Sequence, residues 1–388
     1  MNLLAVVTRK SLLIIVLSTL ASGISFSQLF PDQKPVHVIK KQQGAIFSVA
    51  FQHDGSMFAS GAEDKTCVIW SYPGMKELRT LTGHTAGVRT IIFAPDMKYM
   101  YTAGDKSIRV YQTSGEFQKQ LPGSVTALWK VAFNPGLYRF ATGSYDKSIR
   151  ITDLATAKQL TPLSGHQKNA LAVAYSPDNK LLVSGSLDES IKIWDASSGT
   201  LLKTVTGHGA NIYDLAFTSD SKYFVSGSAD NSARLWDATT GETIRNYPGH
   251  EKFVFSVAIS PDNSYLLTGS QDATIKLWDL KSGALIYSFI GHKDAVNALA
   301  FHPSGNTFIS GSSDNTIMVW EIKPEIFVER YFAKEFEEEI GKSDLFAPKG
   351  KDESRTDYKL RTDKAEAFRQ TLIQKYYDKY ISEVKGKV

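Results

Sequence analysis

The chain has 388 residues, with 44 lysines and arginines against 40 aspartates and glutamates, a formal net charge of +4. Hydrophobic residues at 42% and aromatics at 11% are ample for a packed core. The near-balance of charge argues against a nucleic-acid-binding protein, which would need a basic stripe, and a lone cysteine excludes an internal disulfide.

The N-terminus, "MNLLAVVTRKSLLIIVLSTLASGISFSQ", sets Arg9-Lys10 before an apolar stretch from Ser11 to about Ile24, with small residues at Ser25 and Ser27. This is a charged n-region, an h-region of signal-peptide length and a cleavage site before Gln28. Residues 1–27 are therefore expected to be a removed signal peptide, leaving a chain of net charge +2 that is exported to the periplasm or outside the cell. The competing reading is an uncleaved anchor, but the apolar run falls short of the roughly 20 residues a spanning helix needs. No stable transmembrane span is expected once the leader is removed.

From Gln42 onward one pattern recurs seven times. His208 is followed by Ser226, Asp230 and Trp236, the first three being the side chains of a hydrolase triad. A triad occurs once in a chain, yet the same offsets connect His166 to Ser184, Asp188 and Trp194. They also connect His250 to Thr268, Asp272 and Trp278, and His292 to Ser310, Asp314 and Trp320. Upstream copies carry substitutions: His84 precedes Thr102, Asp105 one place early, and Tyr111. Ser124 precedes Thr142, Asp146 and Thr152, and Gln42 precedes Ser60, Asp64 and Trp70. A period of 41 or 42 residues is a building unit, so no catalytic residues are assigned to it. Each unit reads as four short strands. In the last, Val296 to Phe301 is the first, His302-Pro303-Ser304-Gly305 turns, Thr307 to Gly311 follows, and Asp314-Asn315 turns before Thr316 to Trp320.

Stretches such as "GHGANIYDLAFTSDSKYFVSGSADNSARLWD" carry G-H at one end and W-D at the other, and residues 35–322 resemble the WD-repeat β-propeller family. The resemblance implies an all-β fold, a seven-bladed propeller of four-stranded antiparallel blades. It also implies that the histidine, serine or threonine, aspartate and tryptophan of each unit are structural and hydrogen-bonded within one blade. A sharp turn between packed sheets leaves backbone donors that an aspartate can accept, which supports the same role on physical grounds. By register, Val36 to Lys40 takes the place of Ile286 to Ile290 and should form the outer strand of the last blade. That strand would close the ring. Cys67 falls where Ile275 and Ile317 fall in other units, a core position.

After Trp320-Glu321 the repeat stops, and residues 323–388 form a charged helical extension with 29 of 66 residues charged. Pro324 with Ile326, Phe327, Tyr331, Phe336 and Ile340 predicts an amphipathic helix, and Gly341 to Thr362 a polar link. A second helix over 363–384 carries Phe368, Leu372, Tyr376, Tyr380 and Val384 on one face. That face is expected to dock on the propeller or to serve a partner or a second copy of the chain.

No Walker loop, H-E-x-x-H, C-x-x-C or EF-hand loop is present. The histidines are dispersed one per unit, and neither a metal nor a cofactor is expected. The family resemblance places partner contacts beside the first apolar residue of each inner strand and just before the turn aspartate. Carried over, these include Phe47, Arg89, Trp129, Tyr145, Leu171, Leu187, Tyr213, Phe253 and Phe255, with Asn297 and Ser313 across the mouth. Large apolar side chains have no folding reason to ring a solvated opening. The third to sixth units hold seven of these residues, so binding should be lopsided. The reading favoured is a non-catalytic exported scaffold that binds a protein or peptide, with no nucleic acid involved. The alternatives are a propeller enzyme of hydrolase or dehydrogenase type using the central funnel, or a glycan-binding module.

Overall fold

The computed structural model describes residues 26–124 and 128–385. The expected leader therefore lies almost wholly outside the described residues. The chain divides into two compact units, one of residues 34–285 and 289–322. The other gathers the described residues up to Gln33, Ile286–Ser288 and the chain from Lys323.

The first unit is built from seven antiparallel sheets whose inner strands neighbour one another in ring order. These are Ile46–Phe51, Thr90–Phe93, Leu128–Asn134, Ala170–Tyr175, Ile212–Phe217, Val254–Ile259 and Val296–Phe301. Each begins a blade, numbered 1 to 7 in chain order. The next strand of each blade is buried on both faces and sets the core between blades: Phe58, Phe140, Phe224 and Phe308 are fully buried. Phe58, Phe224 and Phe308 stack on Trp70, Trp236 and Trp320 of their own blades at 6.1–6.4 Å between ring centroids. Cys67 is also buried, and desolvation pushes its thiol pKa far up, so it behaves as a small core residue.

Six blades have four strands and blade 3 has three. In blade 3 the segment that should supply the fourth strand touches its neighbour only through Ile149↔Leu163 and Thr152↔Gln159. Pro162 stands between these bridges, and its ring-fixed φ departs from that of a β ladder, so no continuous strand forms there.

The ring closes as its register predicts. His37–Ile39 pairs antiparallel with Ile317–Glu321, matching His37 to Val319 and Ile39 to Ile317, and the Val36 N–H donates to the Val319 carbonyl at 2.8 Å. The strand covers an edge that would otherwise present unpaired backbone groups.

The second unit holds a short helix α1 (Phe26–Leu29), then α2 (Pro324–Gly341) and α3 (Arg355–Lys379), the last continuing into a π-helical turn at 380–384. The sequence placed the start of α3 at residue 363, eight residues too late. Its first two turns lack apolar periodicity, and the signal lies in the cap. Ser354 Oγ accepts from the Asp357 N–H at 3.0 Å and donates to the Asp357 carboxylate at 2.7 Å. Arg361 then binds the preceding link, donating to the carbonyls of Leu345 and Ala347 and pairing with Glu353 at 2.8 Å.

The apolar face of α3 is not open for self-association. Tyr376 packs against Phe332 and donates to Glu339 of α2 at 2.8 Å, and Tyr380 stacks on Phe327 at 4.6 Å. Leu29 and Phe30 belong to the same unit: buried Arg369 donates twice to the Leu29 carbonyl, at 3.0 and 2.7 Å, and Phe30 meets Phe336 at 5.0 Å.

The closing strand generates a direct expectation. His37 is exposed and stands opposite Val319, so His37→Pro removes no core contact but deprives the three-residue strand of a ladder donor. We expect a loss of about 1–3 kcal/mol, read as a lowered melting temperature in calorimetry, with His37→Thr near wild type.

Candidate functional site

The recurring polar residues meet as the repeat implies, and they face inward. In blade 5 His208 Nδ1 lies 2.7 Å from Asp230 Oδ2 and its Nε2 lies 2.7 Å from Ser226 Oγ, which also accepts from Trp236 Nε1 at 2.7 Å. The same set joins His166, Asp188, Ser184 and Trp194 in blade 4 at 2.8–3.0 Å. Blade 6 joins His250, Asp272, Thr268 and Trp278, and blade 7 joins His292, Asp314, Ser310 and Trp320, all at 2.7–3.0 Å.

Each aspartate spends its other oxygen on the turn. Asp230 Oδ1 accepts from the N–H and the hydroxyl of Ser232, closing a turn whose Asn231 has φ 68°. A left-handed non-glycine residue costs about 1–2 kcal/mol, and the carboxylate holds it there. Blade 1 reaches the same end with Gln42, which accepts from Ser60 Oγ at 2.6 Å while Trp70 donates to Ser60 at 2.9 Å and Asp64 accepts from the Gln43 and Thr66 N–H groups. In blade 2, one residue shorter at the turn, His84 Nδ1 stands 3.1 Å from Asp105 Oδ2 but is misaligned for a hydrogen bond. In blade 3 Arg150 takes the histidine's part, pairing with Asp146. None of these histidines or tryptophans reaches an opening, and among the described residues no group of three or more His, Cys, Asp or Glu could hold a metal.

The residues expected at the mouth behave differently, and a backbone device explains why. In blades 1 and 3–7 the inner strand slips register over its first residues, for example between Ile46 and Ser48 and between Ile212 and Asp214. A bulge leaves one residue unpaired and re-aims its side chain. The bulged residues include Phe47, Trp129, Tyr213, Phe255 and Asn297. With Arg89, placed just before the inner strand of blade 2, and Lys130 they line a cavity of about 330 Å³.

Arg89 is the centre of one wall. Its guanidinium carbon lies 4.3 Å from the ring centroid of Phe47 on one side and 4.3 Å from that of Trp129 on the other. It makes no side-chain hydrogen bond to any described residue. Burial lowers its pKa somewhat, with Tyr145 and Glu63 opposing, and it stays a cation. Tyr145, exposed, meets Trp129 edge-on at 6.2 Å. The opposite wall is an aromatic cluster: Tyr213 lies 5.1 Å from Phe255 and 6.2 Å from Phe253, which is 38% exposed.

Four expected contacts do not line the cavity: Tyr145 and Phe253 are exposed beside lining residues, and the two leucines of blade 4 are set back. Leu171 is buried, and Leu187 is half-buried outside the lining. A leucine in blade 4 is shorter than the Trp129 and Tyr213 on either side, and the wall passes it by. The lining is not lopsided either, since Phe47, Arg89 and Asn297 bring in blades 1, 2 and 7.

Sequence reading missed the next place along the bulge, occupied by Ser48, Thr90, Lys130, Ala172, Asp214, Ser256 and Ala298. Ser48 and Thr90 accept from the backbone of the following blade, at Ile91 and Val131, and Asp214 does so from Val257 at 3.1 Å. Lys130 reaches past Ala172 to Asp214 at 2.9 Å. Charged residues in a column otherwise small or hydroxylic were the signal that could have found this pair.

Seven blades, six of them bulged at the start of the inner strand, define a repeat propeller that carries variable side chains around one opening. The WD domain, G-beta repeat (WD40) profile matches residues 33–71, 75–112, 115–153, 157–195, 199–237, 241–279 and 283–321, and the chain belongs to this family. Among curated relatives, nuclear distribution protein nudF of Aspergillus niger is 28% identical over 147 residues, 32% of this chain and 33% of that protein. Nuclear distribution protein PAC1 of Gibberella zeae is 31% identical over 153 residues, 36% of this chain and 33% of that protein. Pre-mRNA-processing factor 19 homolog 2 of Arabidopsis thaliana is 28% identical over 149 residues, 37% and 28% respectively. The chain thus spans a third or less of the length of each.

The blade networks make stability depend on pH. Burial lowers the pKa of His166 and His250 below the ordinary 6.5, against the raising effect of Asp188 and Asp272. The unfolded chain then binds more protons as pH falls through 6.5, so stability present above that value is lost below it. A second loss follows below the ordinary carboxylate value of 3.8. Burial raises the pKa of Asp230, but hydrogen bonds from His208 and Ser232 outweigh it and hold the carboxyl well below that value. We expect the melting temperature to drop between about pH 7 and pH 5. Replacing His166 and His250 by glutamine, the residue blade 1 uses, should flatten that part of the curve in scanning fluorimetry.

Proposed function

We propose that the protein is a non-catalytic scaffold that binds a protein or peptide at the mouth of its propeller. The observation that carries this reading is the cavity itself: Phe47, Trp129, Tyr213 and Phe255 line a solvent-reached opening where folding asks for nothing apolar. Aromatic and arginine side chains in such a setting are the usual energetic centre of an interface. The repeated histidine, serine and aspartate residues are engaged in holding turns, so they offer no free nucleophile or base. Phe255→Ala is expected to weaken the partner captured by the full chain by tens-fold, about 2 kcal/mol, with the melting temperature nearly unchanged. Titration of that partner by calorimetry checks this, and unaltered affinity would count against the mouth.

We also infer that the protein works outside the cytoplasm, on the charge and length of its N-terminal stretch. Intact-mass measurement of protein from its own cells should find a chain beginning at Gln28. A retained Met1, or recovery from the cytoplasm alone, would overturn export.

A further inference from the structure

The mouth holds a charge that the fold does not use. Arg89 sits between Phe47 and Trp129, each ring centroid 4.3 Å from its guanidinium carbon, and donates to no side chain or carbonyl of the described residues. Desolvating a guanidinium without an acceptor opposes folding, and a neutral side chain would fill the same space at less expense. Departures from local sense of this kind concentrate at functional sites.

The other charges nearby are committed. Lys130 is paired with Asp214 at 2.9 Å, and Asp214 also accepts from Leu215 and Val257. Glu63, whose charge acts on Arg89, has a carboxylate oxygen engaged with the Ala45 N–H at 3.3 Å. The lining therefore carries one positive charge without an ion-pair partner among the described residues, on a planar group that is set between two rings and has N–H groups that meet no acceptor among those residues. That geometry suits a single carboxylate, which a guanidinium can hold through two parallel hydrogen bonds. A phosphate dianion would call for more cations than the cavity supplies. Across from Arg89, Tyr213 and Phe255 with exposed Phe253 form a platform for an apolar side chain.

Resting on the mouth-binding reading above, we propose that Arg89 is the specificity-determining residue of this site. Its ligand is an acidic peptide segment, one carboxylate seated on the guanidinium and a neighbouring apolar side chain against Tyr213 and Phe255. The flanking rings hold the guanidinium in place before binding, so little order is lost when the carboxylate arrives. Glu63 weakens the field at the same spot and sets an upper bound on affinity.

The test uses the full chain and fluorescein-labelled hexapeptide pools, each with a fixed phenylalanine beside a fixed glutamate, glutamine, lysine or phosphoserine, read by fluorescence anisotropy. The glutamate pool should bind at least about tenfold tighter than the glutamine and lysine pools. Arg89→Gln should reduce glutamate binding to the glutamine level, Arg89→Lys should fall between, and Glu63→Gln should tighten the glutamate pool alone. Trp129 gives an independent readout, because the other five tryptophans are 4% exposed or less. Bound glutamate peptide should shield its emission from acrylamide quenching. If glutamate and glutamine pools bind equally and Phe255→Ala weakens both, the carboxylate proposal fails while the mouth reading stands. A phosphoserine pool tenfold tighter than glutamate also overturns it. Binding that ignores Phe255→Ala, or no binding by any pool, counts against the mouth reading itself.

Discussion

A half-buried carboxylate closing a hairpin turn is the interaction on which this propeller depends. In blade 5 the two oxygens of Asp230 take up the N–H and hydroxyl of Ser232, the N–H of Gly209 and the imidazole of His208. One side chain thereby ties the second hairpin turn to the loop that enters the blade. The imidazole passes the constraint to Ser226, and the serine to the Trp236 indole, so loop, turn and core are fixed as one piece. The substitutions show which part is indispensable. Histidine gives way to Gln42 in blade 1 and to Arg150 in blade 3, yet the aspartate recurs in every blade. A turn with a left-handed residue needs an acceptor at that place, whereas several donors can fill the other.

Because these networks hold the turns rigid, the inner strands can afford irregularity. A bulge at the start of a strand forfeits ladder bonds and would fray in a lone hairpin. In blades 1 and 4–7 the residue two places before the bulged one is retained by a cross-strand bond, such as that from the Ala229 N–H to the Asn211 carbonyl or from the Gln271 N–H to the Phe253 carbonyl. The bulged side chain is released toward the opening. Fold and site are thus linked: the staple residues make possible the bulge that presents Phe47, Tyr213 and Phe255.

The second unit follows another logic. Its helices present wide apolar faces with high charge elsewhere, and α2 and α3 satisfy each other through aromatic pairs such as Phe327 with Tyr380. Arg369, a charged residue buried at 6% exposure, is satisfied by the Leu29 carbonyl and Glu366. The segment just after the expected leader therefore shares a core with the far end of the chain. Any chain retaining the leader must carry it from that place.

Periodicity in the sequence determined the seven blades, the four-residue network and the closing strand at His37–Ile39. Each is a local pattern repeated at fixed spacing, and repetition leaves one ring geometry that satisfies every copy. The family resemblance, carried over onto those repeats, implied which columns reach the mouth, down to Phe47, Arg89, Trp129 and Phe255. It could not tell which of those side chains meet. Leu171 holds the same column as Tyr213, but its burial depends on the larger groups in neighbouring blades, 42 residues away in the chain. The stacking of Arg89 between Phe47 and Trp129 and the Lys130–Asp214 pair likewise join different blades, at distances set by ring closure. The loss of the fourth strand in blade 3 was legible in Pro162 and went unread. Spacing determines which residues are equivalent; only packing across the ring decides which of them touch, because contact depends on the sizes and charges of partners that no single repeat contains.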